Sequence, residues 1–338
     1  MTRKLTKLEA ADFIDRSFKP TPQIYGEALL EAARKDARIV CLTADLAAPT
    51  ETALFRDALP DRFHQVGIAE ANMVGIAGGM ARCGEIPFVH SFCVFVTKRA
   101  YDQISMQAAY PNLPVKLVGF LPGVSTLLGV SHQAIEDVAI MRAVPNMMIL
   151  EPSGPEYFAS AVEVALAYDG PVYLRMKRPE IPPEGPVEPK QLVAGKGIIR
   201  REGTDLTIFT AGMSVAESLA AAETLSEQGI SAAVVDMASI KPLDEDIILV
   251  QARATGAIVV AENHSVIGGL GSAVAEVLCD AGIGLPFRRV GLKDCFAEGG
   301  TTPYLFERYE IDRKAILSAA RDVNARKSAP LTRRPTGP

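Results

Sequence analysis

Apolar and polar positions along the chain change rhythm repeatedly. From residue 23 to 36 apolar and charged positions recur at helical spacing, and ARIVCLTADL then reads as a buried strand with a polar tip. DRFHQVGIA is a second short strand feeding a helix that begins near Glu70. IPFVHSF leads into a strand and then a long helix over TKRAYDQISMQAAY. PVKLVGF, NMMILEP and GPVYLRM are further buried strands, separated by helices around 132–143 and 155–168. Strands alternating with helices predict an α/β/α layering around a mostly parallel sheet.

The stretch RPEIPPEGPVEPK, 178–190, carries five prolines in thirteen residues and has no periodicity. It predicts a linker between domains, placed at 181–192. Beyond it the pattern restarts with DLTIFTAG, a helix from about 214 to 228, ISAAVVDM, KPLDEDIILVQARA, GAIVVAEN and GGLGSAVAEVLCDAG. The reading is therefore two three-layer α/β/α domains, 20–180 and a smaller one at 193–325. A leader, 1–19, precedes them, and a polar tail expected to be disordered, 326–338, follows.

Composition narrows the class. The 338 residues, 48% hydrophobic and 22% charged, suit a globular enzyme or subunit of about two domains. A net charge of -5 without a dense basic patch points away from nucleic acid. No apolar run reaches the length of a membrane span, and MTRKLTKLEAADFIDRSF contains no secretory core. The five cysteines are odd in number and sit mostly in apolar surroundings, which predicts reduced core thiols in the cytoplasm. No GxGxxG follows a strand, and GxxxxGK[ST] and HExxH are absent. GGLGS, 268–272, fits either close helix packing or an anion cradle.

One segment raises a chemical question. Residues 71–81 carry no charge and include Gly75, Gly78 and Gly79, so the helix reads as buried and closely approached. Glu70 stands at its head. An unpaired carboxylate there would be expensive. Either Glu70 caps the helix, or it faces a buried partner.

The blocks LTADLAAPTETALF, FHQVGIAEANMVGIAGGMA, PFVHSFCVFVTKRAYDQI, GVSHQAIEDVAIMRAVPNM, DGPVYLRMKR, IKPLDEDI and AENHSVIGGLGSAVAE occur in one order over roughly 20–320. In that order they resemble the C-terminal half of transketolase, its pyrimidine-binding domain followed by its C-terminal domain. The resemblance implies that Glu70 hydrogen-bonds N1′ of the aminopyrimidine of thiamine diphosphate, which promotes loss of the C2 proton of the thiazolium. It implies that Phe95 stacks on that ring, that Phe92 lines the pocket, and that Asp45 lies near the cofactor at a subunit interface. It also places His132 against the substrate oxygen, where it assists proton transfer.

The substrate end departs from the family. Pro49 and Phe120 stand where transketolase has a serine and a histidine, and Leu128 replaces the acidic residue that reads a sugar hydroxyl. Pro22 or its neighbour aligns with an arginine, and Arg178 keeps the other arginine position. Phosphate recognition needs several directed donors, and proline has none. The expectation is a substrate other than the ordinary pentose phosphates, met by an apolar mouth with His132 and Arg178 as its polar contacts.

The family's GDG-type segment, which holds Mg²⁺ and the diphosphate, is missing here. The resemblance then implies a separate N-terminal-type subunit carrying that site, a second copy of this chain, and an α2β2 heterotetramer. The activity implied is transfer of a two-carbon ketol or acyl unit. Alternatives left open are a 2-oxo-acid decarboxylating ligase or dehydrogenase E1-beta-type subunit, and an ordinary split transketolase acting on sugar phosphates.

Overall fold

The computed structural model describes residues 23–177 and 187–327. In chain order its strands are β1 (Ile39–Thr43), β2 (Phe63–Gln65), β3 (Ile86–Phe92), β4 (Lys116–Phe120), β5 (Met148–Leu150) and β6 (Val172–Met176). These are followed by β7 (Ile198–Arg201), β8 (Leu206–Thr210), β9 (Ala232–Asp236), β10 (Ser239–Lys241), β11 (Ile258–Ser265) and β12 (Phe287–Leu292). The first sheet runs β10-β5-β6-β4-β3-β1-β2 and the second β12-β11-β8-β9-β7. β10 on β5 and β7 on β9 pair antiparallel, and the other neighbours pair parallel.

β1, β3, β4 and β6 are buried at every position, because helices cover both faces of the sheet. The chain leaves β1 toward β2 on one side and returns to β3 on the other. In such sheets the crevice for ligands opens at the carboxyl ends of the strands where the order reverses. Here those ends are Thr43 and Phe92, which adjoin Asp45 and the helix Cys93–Lys98. The sheet order thus sets the site between β1 and β3.

The two sheets share one core. Phe209, Val235, Ile240, Val260 and Leu270 from the second unit belong to the same apolar cluster as Phe88, Leu117 and Tyr173 from the first. β10 crosses over to complete the first sheet, so the division at the linker is not a division of the hydrogen-bonded layers. At the junction Arg175, 1% exposed, donates to Asp137 (2.7 and 3.1 Å), Glu151 (2.5 Å) and the carbonyls of Ala134 (3.1 Å) and Asn263 (3.0 Å). A second cluster, including Leu206, Val234 and Ile316, fills the far side of the second sheet.

Several expectations are corrected. The long helix over TKRAYDQISMQAAY is broken into Cys93–Lys98, Tyr101–Gln103 and a π-helical turn, Ile104–Ala109. The break falls at Arg99 and Ala100, where Ala100 leaves helical geometry at φ -114° and ψ 17°. The helix near 132–143 begins only at Asp137, after a 3-10 turn, Val130–His132. β7 and β12 did not stand out in the pattern because they are edge strands, and IIRR and FRRVGL expose their arginines in part. The helix Glu70–Arg82 is buried on one face only, for Asn72, Ile76 and Gly79 are exposed. Gly78 has the expected close approach: a Cβ there would lie 2.8 Å from the carbonyl oxygen of Gln107. All five cysteines are free, but Cys83, Cys279 and Cys295 are exposed instead of belonging to the core. Among the described residues no helix is long and apolar enough to cross a membrane.

Candidate active site

Glu70 is the first residue of the helix Glu70–Arg82 and is 3% exposed. Its carboxylate does not cap that helix. It accepts from Ser91 Oγ on β3 at 3.3 Å and from Arg99 Nη1, which lies 3.2 Å from each carboxylate oxygen. The buried charge is therefore partnered from across the crevice.

Phe92 ends β3 and Phe95 lies one helical turn further on, in Cys93–Lys98. Their rings are 5.9 Å apart between centroids at 39°. Phe92 is buried, while Phe95 is half-buried. The guanidinium carbon of Arg99 lies 3.9 Å from the centroid of Phe95. Residues 95 and 99 are four apart, the helical spacing that stacks two side chains.

His132 comes from the 3-10 turn Val130–His132, which Gly129 introduces at φ 75°, a conformation that favours glycine. Its imidazole stands 5.0 Å from Phe95 and 6.0 Å from Phe92 between centroids. Nδ1 lies 3.0 Å from Ser131 Oγ. Partial burial, and second the Arg99 charge, lower the pKa of His132 from the ordinary histidine value. The neutral imidazole is thus favoured near pH 7 and has both a donor and an acceptor to offer. Lys98, one residue before Arg99, pairs through Nζ with Glu136 Oε1 at 2.5 Å.

Glu70, Phe92, Phe95 and His132 are brought together. The remaining expected residues are not all beside them. Asp45 lies past the end of β1 at φ 59° and is exposed. Its backbone N–H donates to Gln65 Oε1 at 2.7 Å, and Gln65 Nε2 donates to its carboxylate at 3.2 Å. Pro49 is half-buried in the loop beyond. Phe120 is in the core, 1% exposed and edge-on to Tyr25 at 5.6 Å. Its ring does not form the mouth in this chain, because the strand it ends is covered on both faces. Leu128 is 59% exposed, and Val130 and Phe296 are also exposed. Arg178 and Pro22 lie outside the described residues.

Two site residues escaped the sequence reading. Ser91 gave no signal, since a single serine inside an apolar strand has many bland explanations. Arg99 did give one: a cation four residues after an aromatic residue in a helical run.

Comparison with known proteins decides the family. Residues 19–184 match the transketolase pyrimidine binding domain, and residues 195–316 match the transketolase C-terminal domain. The chain belongs to the transketolase family. It corresponds to the C-terminal half of that enzyme and is a transketolase-type transferase subunit. It is 46% identical over 306 residues to the 6-deoxy-6-sulfo-D-fructose transketolase subunit SqwH of Clostridium sp., covering 90% of this chain and 94% of that protein. It is 35% identical over 297 residues to a subunit of the apulose-4-phosphate transketolase of Phocaeicola vulgatus, covering 88% of this chain and 95% of that protein. A solved structure described as a split gene transketolase, inactive beta4 tetramer, superposes with a TM-score of 0.82 at 42% identity, covering 90% of this chain and 98% of that one.

Proposed function

We propose that this chain is the beta-type subunit of a split, thiamine-diphosphate-dependent transketolase-like enzyme that moves a two-carbon ketol or acyl unit. The observation that carries the reading is the convergence of Glu70, Phe95 and His132 on one crevice at the carboxyl end of β3. An aromatic face beside a carboxylate suits a flat heteroaromatic ring that bears a protonatable nitrogen. Thiamine diphosphate would supply an electron sink for carbon–carbon bond cleavage.

The chain's own residues have separable tasks in this reading. Phe95 stacks on the aminopyrimidine and Phe92 closes the wall behind it. Glu70 holds or gives a proton at N1′. His132 hydrogen-bonds the substrate oxygen and relays its proton. Asp45, at the tip of β1, faces the partner side. Mg²⁺ and the diphosphate are assigned to a separate N-terminal-type subunit. The full assembly is read as an α2β2 heterotetramer, with the exposed face at Asn72, Ile76 and Gly79 meeting the second copy. The chain alone is read as inactive, in line with the inactive beta4 tetramer it resembles. Its location is read as cytoplasmic, where its five free thiols stay reduced.

For the substrate we infer a ketose without the terminal phosphate of the common pentose phosphates, with Arg178 contacting an anionic or polar end and Pro49 and Leu128 lining the approach. The relative named for a sulfonated sugar supports a different anion; the one named for apulose 4-phosphate is the reason a phosphorylated sugar belongs in the test. The test is reconstitution with the N-terminal-type subunit, thiamine diphosphate and Mg²⁺. It would compare kcat/KM for matched phosphorylated, sulfonated and neutral ketoses and for 2-oxo acids. Loss of two charge-assisted contacts predicts about 3–6 kcal/mol against the sugar phosphate. A wide preference for xylulose 5-phosphate would make this an ordinary split transketolase. Full turnover by the single chain would overturn the two-subunit reading.

A further inference from the structure

The guanidinium of Arg99 makes two contacts at once. Its carbon lies 3.9 Å from the centroid of the Phe95 ring, and its Nη1 lies 3.2 Å from both carboxylate oxygens of Glu70. An aromatic face and a carboxylate are the two surfaces that the cofactor reading reserves for the aminopyrimidine. A planar, N–H-bearing cation satisfies both in the same way that a planar aminopyrimidine would. The two groups cannot share the space.

We propose that Arg99 is a placeholder for the aminopyrimidine, covering Phe95 and pairing with Glu70 in the cofactor-free chain and swinging out when the ring enters. The inference rests on the thiamine reading above. Two further features fit a group built to leave. One nitrogen serves both oxygens at 3.2 Å, longer and less directed than the forked pairs that hold an arginine firmly. The Arg99 side chain is also 48% exposed, so its long stem can turn into solvent without disturbing the core.

The benefit falls on Glu70. At 3% exposure its carboxylate would be costly to leave unpartnered before the cofactor arrives. Arg99 offsets that cost. Departure of the arginine has a second effect: its charge disfavours protonation of His132, so loading the pocket would make that imidazole easier to protonate.

The test uses the full chain and 4-amino-2,5-dimethylpyrimidine, a neutral probe that lacks the diphosphate and so does not report a general attraction of arginine for anions. Binding is followed by calorimetry or ligand-detected NMR in the wild type, Arg99→Ala, Arg99→Lys and Glu70→Gln. Arg99→Ala should bind the probe roughly 3- to 30-fold more tightly than the wild type, the scale of one exposed cation–π contact plus one exposed ion pair. Arg99→Lys should fall between them. The His132 titration, read by NMR, should move to higher pH in Arg99→Ala, and in the wild type on saturation with the probe. Equal or weaker binding by Arg99→Ala overturns the placeholder, because the arginine is then part of the pocket wall. If Glu70→Gln weakens binding while Arg99→Ala does not strengthen it, the cofactor reading stands and the placeholder alone falls. Absence of binding in every variant overturns the placeholder, because the arginine then guards no pocket; the cofactor reading falls only if the complex with the N-terminal-type subunit also fails to bind thiamine diphosphate.

Discussion

The imidazole of His132 stands edge-on to the ring of Phe95, with centroids 5.0 Å apart and planes inclined at 68°. The turn and the helix that carry them are far apart in sequence, and the contact sets the imidazole over the crevice that holds Glu70. Because partial burial comes first and the Arg99 charge second in lowering its pKa, the folded chain binds this proton less readily than the unfolded chain. Stability therefore falls as pH drops below the ordinary histidine value of about 6.5, and the fall ends below the folded pKa. His132→Asn should flatten that part of the stability profile, measured by urea denaturation between pH 7 and the acid limb. In the assembled enzyme the same variant should lower kcat by about 10²-fold or more, since asparagine can hydrogen-bond but cannot relay a proton.

Glu70→Gln should keep the fold. The amide retains the shape and the contact with Ser91, and only the charge opposite Arg99 is lost. Exchange of the C2 proton in bound thiamine diphosphate should slow by at least about 100-fold, the usual worth of positioned proton transfer. Deuterium exchange with rapid quench on the reconstituted complex reports this. An unchanged rate in an intact complex would reduce Glu70 to a structural residue.

Two neighbouring glycines should respond with opposite signs. A Cβ on Gly78 would sit 2.8 Å from a backbone carbonyl of Gln107, an atom that cannot easily yield, so Gly78→Ala should destabilise the chain by about 1–3 kcal/mol. A Cβ on Gly79 meets nothing within 4 Å, so Gly79→Ala should stabilise the helix by about 0.5–1 kcal/mol. Thermal unfolding of the isolated chain checks both. The exposed face at Gly79 is the one assigned to the second copy, so Gly79→Ala should also weaken self-association in sedimentation.

Arg175→Met should be the most damaging of these substitutions. It leaves the carboxylates of Asp137 and Glu151 buried without their cation, at a cost of about 3–5 kcal/mol. Burial pushes the Asp137 carboxyl up, but the Arg175 charge and hydrogen bonds outweigh it and hold the pKa below the usual carboxylate value. The contribution of Asp137 is thus present above its unfolded pKa and is lost as pH falls through the lower folded one. The gap between wild type and variant should narrow in that acid range. A gap that stays constant in acid would show that packing, not charge, sets the loss.

Much of this was legible in one dimension. The α/β class followed from apolar blocks at two periods, because a sheet buried on both faces leaves continuous runs and its covering helices leave striped ones. β1, β3, β4 and β6 could be read in this way, and β7 and β12 could not, since an edge strand exposes part of itself and breaks the run. Glu70 stood out because a charge at the head of an uncharged, glycine-rich segment has few inexpensive environments. Phe92, Phe95 and His132 stood out only through their resemblance to transketolase. Phe120 shows the limit of alignment alone: the strand position was legible, but the burial of the ring against Tyr25 was not.

By itself, then, the sequence determined the layers, the family and the identity of the carboxylate, all of which depend on local spacing and on ordered blocks of residues. Only the tertiary structure decided what the carboxylate meets. Glu70, Ser91, Arg99 and His132 come from separate elements, and their meeting depends on strand order and on where a helix breaks, at Arg99 and Ala100. The same holds for Arg175, whose partners arrive from both sheets and whose charge is tolerable only because they do. Contacts between distant segments are fixed when the sheets close on a common core, and no local pattern of residues encodes them.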